Sequence, residues 1–333
     1  MESKRCASGC LFGLGLGDAL GAKTEFLSVE EILRRFPPDG PQEPTGDPAP
    51  VTDDTQMALS VGEALVEAGR KYSAASLEPT LRRAFVAWWL SPDNNRAPGR
   101  TCLSACANLA AGRPWYQATV ADSKGCGANM RVAPVGLLPL ERDIRGPIAQ
   151  FQAALTHGHP TALAASDLTA YAIADLAADG TPEELPQRLR AYALSQRTVY
   201  HTDWLGPLWK RPDTDTPEEF ISRGWDECLS VLDRLDAALA EPKRDRNPCE
   251  ATGEGWVAEE AFATGLLCFL LFPEEPVAAL RRAAVTSGDS DSIASLTGAF
   301  AGAYLGMAAW PKDWVSRIEY RERLAALAEL WDG

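Results

Sequence analysis

The sequence predicts an all-α protein, and three observations carry that reading. Apolar residues recur at helical spacing over 57–68, 77–90, 101–111, 161–178, 227–239, 257–272 and 293–309, the period of a helix with a buried stripe. Alternation of apolar with polar residues, the mark of a half-buried strand, is nearly absent. The breaks between segments are short and explicit: Phe36-Pro37-Pro38-Asp39-Gly40, Ser91-Pro92-Asp93-Asn94-Asn95 and Phe272-Pro273-Glu274-Glu275-Pro276, the last setting a proline at a helix start. About a dozen helices are expected at the usual helix length.

In chain order, the first helical stretch places Gly9, Gly13, Gly17 and Gly21 every four residues. Residues 36–51, rich in proline and aspartate, read as a long loop, and loops of that length in a compact body are usually lids or rims. Segment 57–68 follows Thr52-Asp53-Asp54-Thr55, residues suited to a helix N-cap and first turn. Segment 77–90 ends at Ser91-Pro92, and segment 101–111 brings Cys102 and Cys106 to one face. Segment 161–178 follows Thr156-His157-Gly158, and residues 199–216 form a second long loop, with Trp204 and Trp209 in it. Segments 227–239 and 257–272 follow, and 293–309 begins after Ser287-Gly288-Asp289-Ser290-Asp291-Ser292.

That last segment repeats the small-residue spacing at Ala294, Gly298, Gly302 and Gly306. A mid-helix glycine costs about 1 kcal/mol relative to alanine, so two such stripes imply helices whose backbones touch. Their contact would carry Asp289 and Asp291 next to Asp18 and Glu25. Gly15-Leu16-Gly17 is not a dinucleotide fingerprint, because the third glycine is misplaced and no strand precedes it.

With 333 residues and no Pro/Gly/Ser linker, one compact domain over 1–333 is expected. A net charge of −14 argues against a nucleic-acid groove or an anionic membrane as partner, so the expected ligand is small. No basic-plus-apolar leader and no membrane-length apolar run is visible, so a cytoplasmic protein is expected. The eight cysteines form no CxxC pair and stand beside only three histidines; buried thiols are expected rather than disulfides or a zinc site.

The two acidic runs carry the chemistry. Each alone is accounted for as a helix cap, but both have adjacent carboxylates where capping needs one oxygen. Four carboxylates within about 4 Å would repel by about 1 kcal/mol per pair in water and about 4 at a protein-surface dielectric. A cation between them removes that repulsion. Oxygen donors without histidine or cysteine suit Mg²⁺, Mn²⁺ or Ca²⁺ better than zinc, so the runs read as one divided metal site.

With Gly17-Asp18-Ala19-Leu20-Gly21 and Glu25-Phe26, Thr52-Asp53-Asp54-Thr55, Gly125-Cys126-Gly127 with Met130-Arg131 and Pro134, Thr156-His157-Gly158, Gly255-Trp256-Val257-Ala258-Glu259-Glu260-Ala261 and Gly288-Asp289-Ser290-Asp291-Ser292, the chain resembles the ADP-ribosylglycohydrolase family over nearly its whole length. The resemblance implies two Mg²⁺ ions held by Thr52, Asp53 and Asp54 on one side and Asp289, Asp291 and Ser292 on the other. It implies ADP-ribose over the metals, with diphosphate near Gly125, Cys126, Gly127 and Met130 and with His157, Trp256, Ser287 and Gly288 as further contacts. Cys126 departs from the family's usual Gly-Asn-Gly and carries no side-chain amide, and Ser287 stands where a glycine is common. Asp-Ser-Asp-Ser at 289–292 is similar to the arginine-specific branch.

The implied reaction breaks the bond between ribose C1″ and a protein side chain, through an oxocarbenium-like state, with Glu25, Asp53 and Asp54 as candidates for proton transfer. Arginine is the favoured acceptor, with serine or small O-acyl ADP-ribose esters second. Two other classes remain open: a non-catalytic ADP-ribose binder, and an immunity protein that blocks a partner ADP-ribosyltransferase through residues 36–51 and 199–216.

Overall fold

The first helix, Cys6–Gly21, and the helix Ser290–Leu305 run antiparallel through the middle of the molecule. Every residue of the first from Ala7 to Gly21 is buried, as expected of a helix apolar on all sides. The small-residue stripes face one another. A Cβ built on Gly9 would lie 2.3 Å from Gly302 O, one on Gly13 2.2 Å from Gly298 O, and one on Gly17 2.0 Å from Ala294 O. Only hydrogen fits in such gaps, so the glycines set the helix separation. In this computed structural model, which describes residues 4–332, one hydrophobic core cluster runs from Ala7 to Ala328.

Among the described residues there are eighteen α-helices, and the only β pairing is four isolated bridges. The expected segments are present with shifted ends. Segment 57–68 is the end of a helix that begins at Asp53, so the first acidic run lies inside the first turn. Segment 227–239 is part of Pro217–Ala240, whose N-cap Thr216 accepts from Glu219 N. Segment 293–309 overruns: the helix stops at Leu305, Gly306 turns the chain at φ 76°, and Met307–Ala309 is a separate 3₁₀ turn. Helices Val29–Arg35, Arg142–Ala154, Leu185–Gln196, Lys312–Arg317 and Arg321–Glu329 have no counterpart in the sequence reading. The first and the last two are short, and the other two carry Pro147 and Pro186, which read as breaks.

Residues 36–51 are a brace rather than a lid. Ala49 N donates to Arg317 O at 2.7 Å and Glu319 N to Ala49 O at 3.0 Å. Val51 N donates to Glu319 Oε2 at 3.0 Å, and Arg96 pairs with the same carboxylate. The stretch 199–216 folds into the short helix Thr202–Leu205 and a 3₁₀ turn at 206–209. All eight cysteines are free thiols, and no described helix is long and apolar enough to cross a membrane.

Candidate active site

The seam between the two central helices ends at the acidic residues. A Cβ on Gly21 would stand 2.3 Å from Ser290 O and 2.6 Å from Asp291 Cα, and Ser290 Oγ donates to Gly21 O at 3.0 Å. Asp289 is the N-cap of Ser290–Leu305, and Asp291 lies in its first turn. Asp18, one turn earlier on the first helix, reaches the other acidic run. Its carboxylate accepts from Thr52 N at 2.9 Å, from Thr55 N at 3.0 Å and from the Thr55 hydroxyl. One helix therefore fixes both halves of the site, by backbone contact on one side and by a buried carboxylate on the other.

Glu25 follows in the turn after the first helix, where its carboxylate lies within 4.8 Å of those of Asp289 and Asp291. Its neighbour Phe26 is two-thirds exposed, has φ 64° and stacks on Trp256 with ring centroids 5.4 Å apart. An exposed aromatic held in the left-handed region is strained, and here it forms the mouth of the cleft. The loop 125–130 makes the opposite wall. Cys126 N donates to Trp256 O at 3.2 Å and Ala258 N to Lys124 O at 2.8 Å, which pins the loop to the chain around Trp256. Cys126 Sγ donates to Asp289 Oδ2 at 2.8 Å. Gly127 lets the loop pack closely, since a Cβ there would lie 2.8 Å from Cys102 Sγ and 3.1 Å from the His157 ring.

These residues enclose a cleft of about 470 Å³ lined by Glu25, Asp53, Asp54, Gly125, Cys126, Gly127, Met130, His157, Trp256, Asp289, Asp291 and Ser292. Three expected site residues lie off its wall. Thr52 is the N-cap, its Oγ1 accepting from Asp54 N at 3.3 Å. Ser287 accepts from Asn247 Nδ2 at 2.8 Å. Gly288 passes so close to Glu254 that a Cβ would be 1.8 Å from its carbonyl oxygen, a packing role. Trp204 packs edge-on against Phe151 in the core, and neither it nor Trp209 lines the cleft.

The sequence reading missed Asp18 as the brace of the first acidic run, and it missed Phe26 and the rim Ala97–Cys102. In that rim Gly99 N approaches Asp53 Oδ2 at 3.4 Å, and Thr101 Oγ1 meets Ser123 Oγ at 2.8 Å. The turn-rich run Pro92-Asp93-Asn94-Asn95-Arg96-Ala97-Pro98-Gly99 was the available signal, longer than a helix break requires.

Burial of so many carboxylates disfavours their charged forms. Burial first, then the charge of Asp291, pushes Asp18 up to about 7, Asp53 up to about 8 and Glu25 up to about 9. The same two causes hold Asp54 and Asp289 well above the usual carboxylate range. Asp54 Oδ2 is buried without a partner among the described residues, an arrangement that costs free energy unless a cation or proton answers it. A hard divalent cation fits this donor set, since it lowers the cost for every carboxylate at once. The Cys126 thiol is pushed up by burial and by Asp289, so it stands as a neutral donor.

The chain belongs to the ADP-ribosylglycohydrolase family, whose model matches residues 2–333, and members of that family hydrolyse ADP-ribose linkages. It is similar to the ADP-ribosylarginine hydrolase Tri1 of Serratia proteamaculans, 28% identical over 98% of this chain and 79% of that one. It is also similar to the ADP-ribosylhydrolase ARH3 of Bos taurus, 28% identical over 96% and 90%. The ADP-ribosyl-[dinitrogen reductase] glycohydrolase of Rhodospirillum rubrum is 32% identical over 48% of this chain and 53% of its own. A solved structure titled ADP-ribosylglycohydrolase-related protein complex shares the fold, with TM-score 0.66 and 23% identity over 98% of this chain and 97% of that one.

Proposed function

We propose that this chain is a Mg²⁺-dependent hydrolase that releases ADP-ribose from modified protein side chains, with the arginine linkage as its main substrate and residues 1–333 acting as one domain. The observation that carries this reading is the meeting of Glu25, Asp53, Asp54, Asp289 and Asp291 in the wall of one cleft. Thr52, Asp53 and Asp54 would hold metal from one side and Asp289, Asp291 and Ser292 from the other, as a two-ion centre. When bound, Mg²⁺ supplies Lewis-acid chemistry, a lowered pKa for water and oxygen sites for ribose hydroxyls.

The protein's own groups do the rest. The bond from C1″ to the guanidine nitrogen breaks with its electron pair leaving on nitrogen, while a water oxygen bonds to C1″ and gives up a proton. Glu25 comes from outside both acidic runs and is the carboxylate placed to take that proton and return it to the departing nitrogen, with Asp53 and Asp54 in the same cleft wall. The surrounding negative charge stabilises the positive charge that develops at C1″. The loop at Gly125, Cys126 and Gly127, with Met130 and His157, faces the ligand's phosphate and ribose oxygens.

Two features favour arginine. Phe26 and Trp256 offer an exposed stacked pair at the mouth, a surface on which a planar guanidinium binds well, and the cleft behind it is acidic. A relative over nearly the whole chain is named an ADP-ribosylarginine hydrolase. The test is release of free ADP-ribose from arginine-modified and serine-modified protein, measured side by side. Faster release from the arginine conjugate is expected. Faster release from the serine conjugate would overturn the linkage, and release from neither would overturn the activity.

A further inference from the structure

Arg131 is fully buried, yet among the described residues its hydrogen bonds go to uncharged groups. Nε donates to Gln152 Oε1 at 2.8 Å, and Nη2 to Gln152 O at 2.7 Å and to Thr156 Oγ1 at 2.8 Å. Nη1 faces Met57 Sδ at 3.6 Å and Cys102 Sγ at 3.9 Å, and the guanidinium lies 4.3 Å from the centroid of the Phe85 ring. An apolar side chain would fill this space without the desolvation that a buried cation carries, so the charge calls for a role beyond packing.

Thr156 points to that role. Its hydroxyl is fully buried, has one proton, and accepts from Arg131. Its other contacts are His157 Nδ1 at 2.8 Å, where either atom can be the donor, and Ala153 O at 3.4 Å, a carbonyl that already accepts from His157 N at 2.9 Å and Thr156 N at 3.0 Å. The guanidinium polarises the hydroxyl into a stronger donor and a poorer acceptor for a second N–H, and with Ala153 O already taken by two backbone donors the proton goes to Nδ1. His157 Nδ1 is then an acceptor, and in a neutral ring the proton sits on Nε2. Burial and the Arg131 charge both hold His157 well below its ordinary pKa. Its Nε2 edge lies beneath the cleft loop, where Cβ atoms on Gly127 and Gly125 would approach Nε2 to 3.3 and 3.5 Å.

We infer that Arg131 is a positioning residue that acts through the Thr156 hydroxyl to fix His157 as its Nε2–H tautomer. The cleft then meets a fixed N–H donor at this point and can seat only an acceptor oxygen there, a phosphate oxygen or a hydroxyl lone pair. The tautomer belongs to the free protein and stands whichever linkage the enzyme cleaves.

Nitrogen-15 NMR of the full chain labelled at its histidines tests this directly, with His157 assigned by its loss in His157→Gln. Wild type should show a protonated Nε2 and an unprotonated Nδ1 displaced upfield by an accepted hydrogen bond. In Thr156→Val the Nδ1 resonance should move downfield as that bond is lost, and Thr156→Ser should restore it. In Arg131→Met the two ring resonances should draw together, the mark of tautomer exchange, because the hydroxyl is then free to accept from Nδ1–H. A protonated Nδ1 in wild type, an unmoved Nδ1 in Thr156→Val, or wild-type resonances in folded Arg131→Met would overturn the inference. If Arg131→Met does not fold, the wild-type spectrum and the Thr156 pair decide.

Discussion

Gly17→Ala and Gly15→Ala add the same methyl group to the same helix, and the packing around them demands different outcomes. At Gly15 the new Cβ would stand 3.4 Å from Leu324 Cδ1 and 3.6 Å from Ile318 Cγ1, ordinary contacts. At Gly17 it would lie 2.0 Å from Ala294 O and 2.5 Å from Ala294 C, so reaching an ordinary C···O approach of about 3.3–3.6 Å requires the helices to part by more than about 1 Å. Both variants gain about 1 kcal/mol of helix propensity, which cancels when they are compared. What remains is overpacking against backbone, about 1–3 kcal/mol. At about 2.1 cal/mol/K per residue, 333 residues give an unfolding entropy of about 0.7 kcal/mol/K, so Gly17→Ala should melt about 1.5–4 °C below Gly15→Ala. Calorimetry in EDTA measures this. A Mg²⁺ titration of the melting temperature should then show weakened binding in Gly17→Ala alone, since the seam that parts ends at Asp291. Equal melting temperatures and equal Mg²⁺ responses would refute the idea that this seam sets the site.

Three further outcomes follow from the carboxylates. Asp18, Asp53 and Glu25 have folded pKa values of about 7, 8 and 9 without metal, above the unfolded values of about 4. Their contribution to stability is fully present below about pH 4 and is lost as pH rises through the folded values; the melting temperature in EDTA should fall from pH 5 to pH 9, with Mg²⁺ reducing the fall, and a rise would contradict the burial account. Mg²⁺ at a hundredfold excess over its dissociation constant should stabilise wild type by about 2.7 kcal/mol, while Asp54→Asn loses this gain and activity yet is no less stable than wild type in EDTA. Glu25→Gln should lower turnover by about a hundredfold to ten-thousandfold with little change in ADP-ribose affinity, and parallel losses by calorimetric titration and kinetics would make it a binding residue.

The parts of the site legible in the sequence were those whose chemistry is local. Adjacent carboxylates at Asp53-Asp54 and Asp289-Ser290-Asp291 exceed any capping need, and glycines at every fourth position have few uses besides close helix contact. The stripes also announced the direct packing of two helices from opposite ends of the chain. What escaped was set by tertiary contact. Nothing local marks Asp18 as the acceptor for the Thr52–Thr55 turn. Ser287 and Gly288 sit within a motif whose neighbours line the cleft, but Ser287 is engaged by Asn247 and Gly288 packs on the Glu254 backbone. The lengths of 36–51 and 199–216 suggested rims, whereas the former is tied down by backbone bonds to Arg317 and Glu319 and the actual rim is the shorter run at Ala97–Cys102.

The most direct measurement is single-turnover release of ADP-ribose from an arginine-modified protein by wild type and Asp54→Asn, each in excess EDTA and after Mg²⁺ is returned. A divided carboxylate site predicts release by wild type only with Mg²⁺ and none by Asp54→Asn in either condition. Full release by wild type in EDTA, or by Asp54→Asn with Mg²⁺, would contradict it.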